Sequence, residues 1–520
     1  MREEPLSSVE TICREMFEFL ACTFPVACAS DEFFYFPQVR PDEPQWGVWD
    51  RFSRETVDEC AWRLTAWEDE LDRFESDHPD PDLQIDRALY QQLLRTLREQ
   101  LTEVRAWQTQ PTFSLTLACV GLAEAMVAPD PAAPHERAAS LPAFLDQAGR
   151  NLANVPLLFR DIGLEMISDT VDYLASLVEI LPELRSAFPA LERFREALNS
   201  ATAREDFLLP RDLLERVYRS HISCDMGIEE IQGVLDREIR EMEEILNREG
   251  GRLLKDRPWS EAIEGIPAPD LGTGGLIGHY RDEVERLAHH CLDRGWISTE
   301  LLAACPVTVS PLPDFLSAIR SASSYSIPPR YPPAGGTFYV IDLHSSQGED
   351  HRECPMLCAH ETYPGHHLLD ISRWGLERPC RRAVEQPLFY EGWACFAEEL
   401  MRLTGWFDGS ADRLLLARRR LWRAVRGRVD IGLQTGTMDV PTAAEYLRKT
   451  GIGERRAIGS ARRYPLNPGY QQCYTIGLSR FLNLFDTYGR DDERHFVQTV
   501  LGQGEIGFTS LEMILRNINH

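Results

Sequence analysis

The stretch HETYPGHH, from His360 to His367, decides how this chain is interpreted. A histidine followed by a glutamate is typical of helical zinc hydrolases, whose second histidine lies four residues after the first. Here the residue four positions after His360 is Pro364, which cannot bind a metal. The stretch therefore indicates either a zinc site with unusual spacing or a histidine-rich turn without chemistry.

Pro364 and Gly365 should interrupt the helix that carries His360. On an unbroken helix His366 would point about 120° away from the His360 face, and a two-residue bulge would correct this. His367 would share the face but lie about 10 Å further along the axis, too far for both imidazoles to bind one zinc ion. We favour His366 as the second ligand and keep His367 as the alternative.

A third ligand should come from an acid on a neighbouring helix, because zinc takes about four ligands and a catalytic site leaves one position for water. The segment PLFYEGWACFAEELM offers Glu391 for this position. Glu398 follows on roughly the same helical face and should hydrogen-bond to a ligand histidine. The sequence thus predicts zinc as cofactor, held by His360, His366 and Glu391.

Helical periodicity dominates the chain. The segments VDECAWRLTAWEDELDRFE, RALYQQLLRTLREQLTEVRAW and GIEEIQGVLDREIREMEEILNRE place apolar residues on one helical face. Two short segments, 305–311 and 336–343, are typical of strands, and helical patterns return from about Pro355. We expect a mainly α fold with one small sheet beside the metal-binding helix. Residues 1–255 form an N-terminal helical region and 256–520 the metal-binding region, both within one compact unit around a cleft.

Composition narrows the classes of partner. The 520 residues carry a formal net charge of −27, which disfavours nucleic acid and anionic membranes. No apolar run reaches the roughly 18 residues of a membrane span, and the N-terminus lacks the apolar core of a secretory signal. The 13 Cys are scattered without a framework, as in proteins with reduced thiols. We expect a cytoplasmic protein, and the sequence leaves its oligomeric state open.

The motifs resemble those of a known family. HETYPGHH followed by EGWACFAEEL resembles the H-E-x-x-P-G-H-H … E-G-W-A-x-x-x-E pattern of the bacterial DUF885 family. That family is similar in organisation to helical zinc peptidases of the carboxypeptidase Taq and thimet oligopeptidase types. AGGTFYVID and NPGYQQCYTIGLSRF resemble two further family segments. The resemblance covers about residues 306–485 and implies a large helical zinc-peptidase-like fold and a metallohydrolase.

Two departures from the family pattern concern the substrate. Tyr470 stands where the family has Gln, and Thr475 stands where it has Lys. These residues are expected to shape the substrate pocket rather than to hold the metal. The substrate is expected to be a peptide or a small amide.

The expected reaction is hydrolysis by a metal-activated water. Glu361 is predicted to accept the proton from the water and to pass it to the leaving amine. Tyr474 is predicted to donate a hydrogen bond to the oxyanion, and the alternative is a structural core tyrosine. Arg463 is a candidate to bind a substrate carboxylate, because guanidinium groups fork onto carboxylates.

Tyr339 and Tyr470 are candidate substrate contacts. Tyr339 lies in the predicted strand 337–341, which either pairs with an extended peptide or is simply the edge of a small sheet. The basic run RLLLARRRLWRAVRGR is interpreted as a solvated helix face.

Two other functional classes stay open. One is a zinc-dependent tailoring enzyme that acts on an amide or related bond of a small metabolite, which the substitutions at Tyr470 and Thr475 favour. The other is a non-catalytic helical binding protein with a vestigial metal site. Glu361 argues against the second class, because a purely structural site does not need it.

Overall fold

A computed structural model describes residues 8–73, 80–313, 322–341 and 351–518. The chain is 69% helix and 3% strand, which confirms the predicted mainly α class with a small sheet. Among the described residues, no helix has both the length and the apolar character needed to cross a membrane.

The described residues before the main sheet form thirteen α-helices. Side chains cap several of them: Ser53 accepts from the Thr56 amide before α2, and Asp80 accepts from the Asp82 amide before α3. The helices are α1 Ser8–Thr23, α2 Arg54–Asp72, α3 Pro81–Glu99, α4 Ala106–Thr109, α5 Pro111–Met126, α6 Ala133–Asn151, α7 Leu157–Leu177, α8 Ala187–Ser200, α9 Arg211–Arg216, α10 Ile228–Leu253, α11 Trp259–Glu264, α12 Gly275–Asp293 and α13 Thr299–Ala304.

Between residues 351 and 518, ten α-helices follow the sheet, and they carry the HETYPGHH and EGW motifs. They are α14 Cys354–Glu361, α15 His366–Trp374, α16 Pro379–Ala383, α17 Pro387–Leu403, α18 Ser410–Gln434, α19 Val440–Arg448, α20 Glu454–Arg463, α21 Cys473–Tyr488, α22 Glu493–Leu501 and α23 Phe508–Ile518. Helix α18 packs on α10, and α17 packs on α21. The two predicted regions therefore share a core through α10 and α18, while the boundary at residue 255 stays a prediction.

A three-stranded sheet lies before α14, as predicted. Its strands are β3 Val307–Pro311, β4 Ser324–Ser326 and β5 Gly336–Val340, in the order β3-β5-β4. Strand β5 pairs parallel with β3 and antiparallel with β4. A separate pair, β1 Val155–Pro156 and β2 Ala203–Arg204, joins two loops. The end of the predicted second strand, residues 342–343, lies outside the described residues.

The predicted role of strand 337–341 as a sheet edge is wrong. Strand β5 is the central strand, because β4, which the sequence analysis missed, covers its second side. An added peptide strand therefore has no open edge on β5. Tyr339 is half-buried in β5, aligned with Ser310 and Ser324, and its role as a substrate contact stays a prediction.

The interpretation of the arginine-rich run as a solvated face is also wrong. Three of its arginines, Arg419, Arg423 and Arg426, are buried on α18. Helical periodicity alone indicates a charged face but cannot show that acids from other helices cover it. The acids that do so, Glu353 and Glu398, are distant in sequence.

Candidate metal centre

The helix that carries His360 stops one residue later. Helix α14 ends at Glu361, and α15 begins at His366, which confirms the predicted interruption. Thr362 closes α14, because its amide and its hydroxyl both donate to the Cys358 carbonyl, at 2.8 and 2.6 Å. The new helix starts with His366 turned back toward His360, and the two ring centroids are 4.8 Å apart.

Gly365 is required by this turn. A Cβ atom there would lie 1.9 Å from the His360 carbonyl oxygen and 2.4 Å from that of Ala359. Both contacts are with backbone, which cannot move aside as the end of a side chain can. The Pro364 carbonyl accepts a hydrogen bond from Trp393 Nε1 at 2.9 Å, so α17 also holds the connecting segment.

His360, His366 and Glu391 converge on one point. Their candidate ligand atoms all lie within 4.8 Å of one another, and all three residues are buried. Each imidazole Nε2 is 3.6 Å from Glu391 Oε2, too long for a hydrogen bond. Within the described part of the chain, this is the one group of three or more His, Cys, Asp or Glu with such spacing.

The two oxygens of Glu391 have different environments. Oε1 accepts hydrogen bonds from the hydroxyls of Tyr470 and Tyr474, both at 2.6 Å. Oε2 is buried, faces the two imidazoles and has no hydrogen-bond partner among the described residues. Burial raises the pKa of Glu391, but the adjacent imidazoles of His360 and His366 outweigh burial and hold the pKa well below its usual range. An ionised oxygen without a donor, between two imidazole nitrogens, fits a divalent cation such as zinc.

His360 is oriented by a buried ionic network. Its Nδ1 is 3.0 Å from Glu398 Oε1, which leaves Nε2 for a metal. Arg419 and Arg423 each hold Glu398 with two hydrogen bonds of 2.7–3.1 Å. Burial raises the pKa of Glu398, but the two guanidinium groups outweigh burial and keep it well below its usual range. Glu398 is thus an ionised group that, together with Arg423 Nη2 at 3.2 Å from the same Nδ1, fixes the orientation of the His360 ring.

His367 is directed away from the cluster. Its Nδ1 is 2.9 Å from the Tyr325 hydroxyl, and its Nε2 is 3.0 Å from the Cys305 carbonyl. Burial lowers the pKa of His367 to about 4, so the ring is neutral. His367 therefore links α15 to the segments around the sheet, and His366 is the histidine placed beside His360 and Glu391.

Glu361 lies beside the cluster rather than in it. Its Oε2 accepts the Tyr325 backbone amide at 3.1 Å, so β4 fixes this carboxyl group. Burial raises the pKa of Glu361 to about 7, with Glu391 adding to the rise and His366 opposing it. The arrangement provides a carboxyl group, adjacent to a candidate ligand, that can exchange a proton near neutral pH.

The EGW motif joins α17 to α21. A Cβ on Gly392 would lie 2.6 Å from the Gly477 Cα, and one on Gly477 would lie 2.2 Å from the Leu388 carbonyl oxygen. This close packing brings Tyr474 of α21 to Glu391. The predicted oxyanion donor is therefore, in this structure, a donor to a candidate metal ligand.

A large cavity adjoins the centre. Its volume is about 830 Å³, and Arg463, Asn467, Pro468 and Phe34 are among its lining residues. None of the three candidate ligands lines it. Tyr470 contacts both sides: its ring is 5.2 Å from the ring of Phe34, which lines the cavity, and its hydroxyl donates to Glu391. Arg463 is thus exposed on the cavity wall, away from the candidate ligands.

Sequence reasoning missed several residues of the centre. Tyr325 lies on a three-residue strand too short to show a pattern, and the sequence pattern of α18 predicts a solvated face for Arg419, Arg423 and Arg426. A signal for the arginines is present in the sequence: a long helix that mixes apolar and basic residues lies near acidic motifs that are themselves buried. Trp393 lies in the EGW motif, and the sequence does not predict its hydrogen bond to the Pro364 carbonyl.

Comparisons with known proteins give a family and a fold. The family described as "Bacterial protein of unknown function (DUF885)" matches residues 42–515, and the chain belongs to this family. A putative lipoprotein of unknown function from Shewanella oneidensis has a similar structure, with a TM-score of 0.75 and 16% identity over 98% of this chain and 100% of that chain. A putative lipoprotein from Colwellia psychrerythraea aligns with a TM-score of 0.76 and 14% identity over 98% of both chains. No curated protein matches the sequence.

Proposed function

We propose that this protein is a zinc-dependent hydrolase of peptide or amide bonds. The observation that carries the proposal is the convergence of His360, His366 and the unpartnered Glu391 Oε2, with Glu361 next to them. The resemblance of HETYPGHH to the H-E-x-G-H motif of helical zinc peptidases, with Gly365-His366 as its Gly-His, supports the same chemistry. When bound, zinc supplies the Lewis acidity that activates water and polarises a scissile carbonyl.

Glu361 is the proton carrier in this proposal. The Tyr325 amide holds Oε2, so Oε1 is the oxygen available to accept a proton from the attacking water. The same carboxyl group then passes the proton to the leaving amine. Glu398, locked by Arg419 and Arg423, keeps the His360 ring from turning during the reaction.

Tyr474 is the proposed donor to the developing oxyanion. Its hydroxyl now donates to Glu391 Oε1, and Tyr470 donates to the same oxygen. Tyr474 can therefore transfer its hydrogen bond to the substrate while Tyr470 continues to satisfy Glu391. The structural alternative is that both hydroxyls serve only to hold Glu391.

A tailoring enzyme for a small-metabolite amide is the second candidate. The cavity of about 830 Å³ is within the usual size range of small-molecule sites, roughly 300–1,000 Å³. A short peptide fits the same volume, so substrate size does not separate the two candidates.

Metal analysis followed by a substrate screen tests the proposal. The purified protein should contain about one zinc per chain, measured by plasma mass spectrometry. Incubation with peptide and small-amide libraries, with products identified by mass spectrometry, should reveal hydrolysis that stops on chelation and returns with zinc. A protein that binds no divalent metal after reconstitution would refute the proposal, and the nature of the cleaved compounds decides between the candidates.

A further inference from the structure

Arg426 is a buried cation beside the candidate metal centre. It is 9% exposed, and its Cζ lies 4.0 Å from the Tyr474 ring centroid and 4.7 Å from that of Trp422. Its Nε donates to the neutral side chain of Gln471 at 2.7 Å. No carboxylate oxygen of the described residues lies within 4.0 Å of this guanidinium.

The other buried arginines of α18 differ in this respect. Arg419 pairs with Glu353 and Glu398, at 3.1 and 2.9 Å. Arg423 pairs with Glu398 at 2.7 Å, and the half-buried Arg420 pairs with Glu238 and Glu399. Because a buried charge is costly without a partner, the exception at Arg426 points to an anion that comes from outside the chain.

Nearby acids do not remove this need. Glu391 is separated from Arg426 by Tyr474, whose hydroxyl is 2.6 Å from Glu391 Oε1. Asp430 is on the same helix and accepts a hydrogen bond from the backbone amide of Gln471. Burial raises the pKa of Asp430 to about 8. Asp430 is therefore mostly neutral at pH 7. A metal on Glu391 would further reduce the negative charge that Arg426 experiences.

We propose that Arg426 binds a carboxylate of the substrate, so that the enzyme acts on compounds with a free carboxylate close to the scissile bond. That a bond is cleaved rests on the proposed hydrolase function. That the substrate carries a carboxylate rests on Arg426 alone. A single planar guanidinium held among aromatic rings suits a planar carboxylate, which it binds through two parallel hydrogen bonds. Tyr474 contacts Arg426 through its ring, at 4.0 Å, and Glu391 through its hydroxyl, at 2.6 Å, so a carboxylate on Arg426 is placed close to the cleaved bond. Arg426, rather than the exposed Arg463, takes the carboxylate role.

Binding of two matched dipeptides tests the proposal without turnover. The full chain carrying Glu361→Gln is titrated calorimetrically with N-acetyl-alanyl-phenylalanine and with its C-terminal amide. The acid should bind at least about tenfold more tightly than the amide, the scale of hydrogen bonds to a charged group. Adding Arg426→Gln should abolish this preference, whereas Arg428→Gln, which removes an outer ion pair of the same helix with Asp236, should preserve it.

A more conservative variant covers the case in which Arg426→Gln does not fold. Arg426→Lys keeps the charge but loses the two-pronged geometry, and should reduce the preference for the acid over the amide. Equal affinity for acid and amide in the parent, no measurable binding of either, or a preference that survives both Arg426 variants would overturn the proposal. Tighter competition by inorganic phosphate than by the acid would also overturn it. An intact acid preference without any hydrolysis by the native chain would instead refute the hydrolase and retain the carboxylate site.

Discussion

At the scale of single residues, Glu391 connects every part of the candidate centre. One oxygen faces the two imidazoles, and the other accepts two tyrosine hydroxyls. Glu391→Ala should therefore strip most of the zinc, measured as metal content after dialysis, while circular dichroism shows an intact helical fold. Glu399→Ala is the matched control on the same helix. It breaks ion pairs with Arg402 and Arg420 and should lower stability but retain zinc.

Glu361 belongs to the same scale but to a different role. Glu361→Gln keeps the size of the side chain and removes its capacity to take a proton. Zinc content should stay unchanged, and hydrolysis should fall by at least about 10²-fold, the scale for a positioned acid–base group. A variant with bound zinc and normal turnover would show that another group carries the proton.

At the scale of elements, the break between α14 and α15 sets the ligand geometry. Gly365→Ala introduces a Cβ that clashes with the His360 backbone, so the two histidines must move apart. We expect zinc affinity to fall by at least about tenfold, equivalent to roughly 1.4 kcal/mol, in competition with a fluorescent chelator. Replacing Pro364-Gly365 with Ala-Ala should have the same effect. Gly459→Ala, on α20 where no atom lies within 4 Å of the added Cβ, should leave the affinity unchanged.

At the scale of the whole molecule, buried acids make stability depend on pH. Burial raises the pKa of Asp430 to about 8, against about 3.9 in an unfolded chain. The folded state therefore binds the extra proton, and the stability that this provides is complete below about pH 4 and is lost as pH rises through about 8. In Asp430→Asn this loss is absent. The free energy of unfolding of both proteins is measured by urea denaturation between about pH 4 and 8. Over this range the value for the native protein should fall, relative to that for the variant, by roughly a few kcal/mol.

This comparison isolates Asp430 from other titrating groups. Burial also raises the pKa of Asp50 to about 7 and that of Glu505 to about 8, but both remain in the two proteins and cancel in the difference. A constant difference across this range would contradict the raised pKa of Asp430. The pH dependence of the native protein alone does not distinguish Asp430, Asp50 and Glu505, since all three titrate in the same direction.

The sequence by itself determined the helical class and the residues that can bind a metal. Helical periodicity reports burial on one face, and Pro364-Gly365 cannot continue a helix, so the break and the preference for His366 follow from local chemistry. The pairing of Glu391 and Glu398 on one face follows from helical spacing in the same way. These inferences need only neighbours within a few residues.

Only the tertiary structure decided what surrounds those residues. One oxygen of Glu391 faces the imidazoles and the other accepts from the tyrosines, and this arrangement requires α17 and α21 to meet at Gly392 and Gly477. The central position of β5 depends on β4, whose three residues are too few for a pattern. The burial of Arg423 and Arg426 depends on helices distant in sequence. A periodic pattern shows which face is charged, but whether water or another helix covers that face is a property of the packed chain.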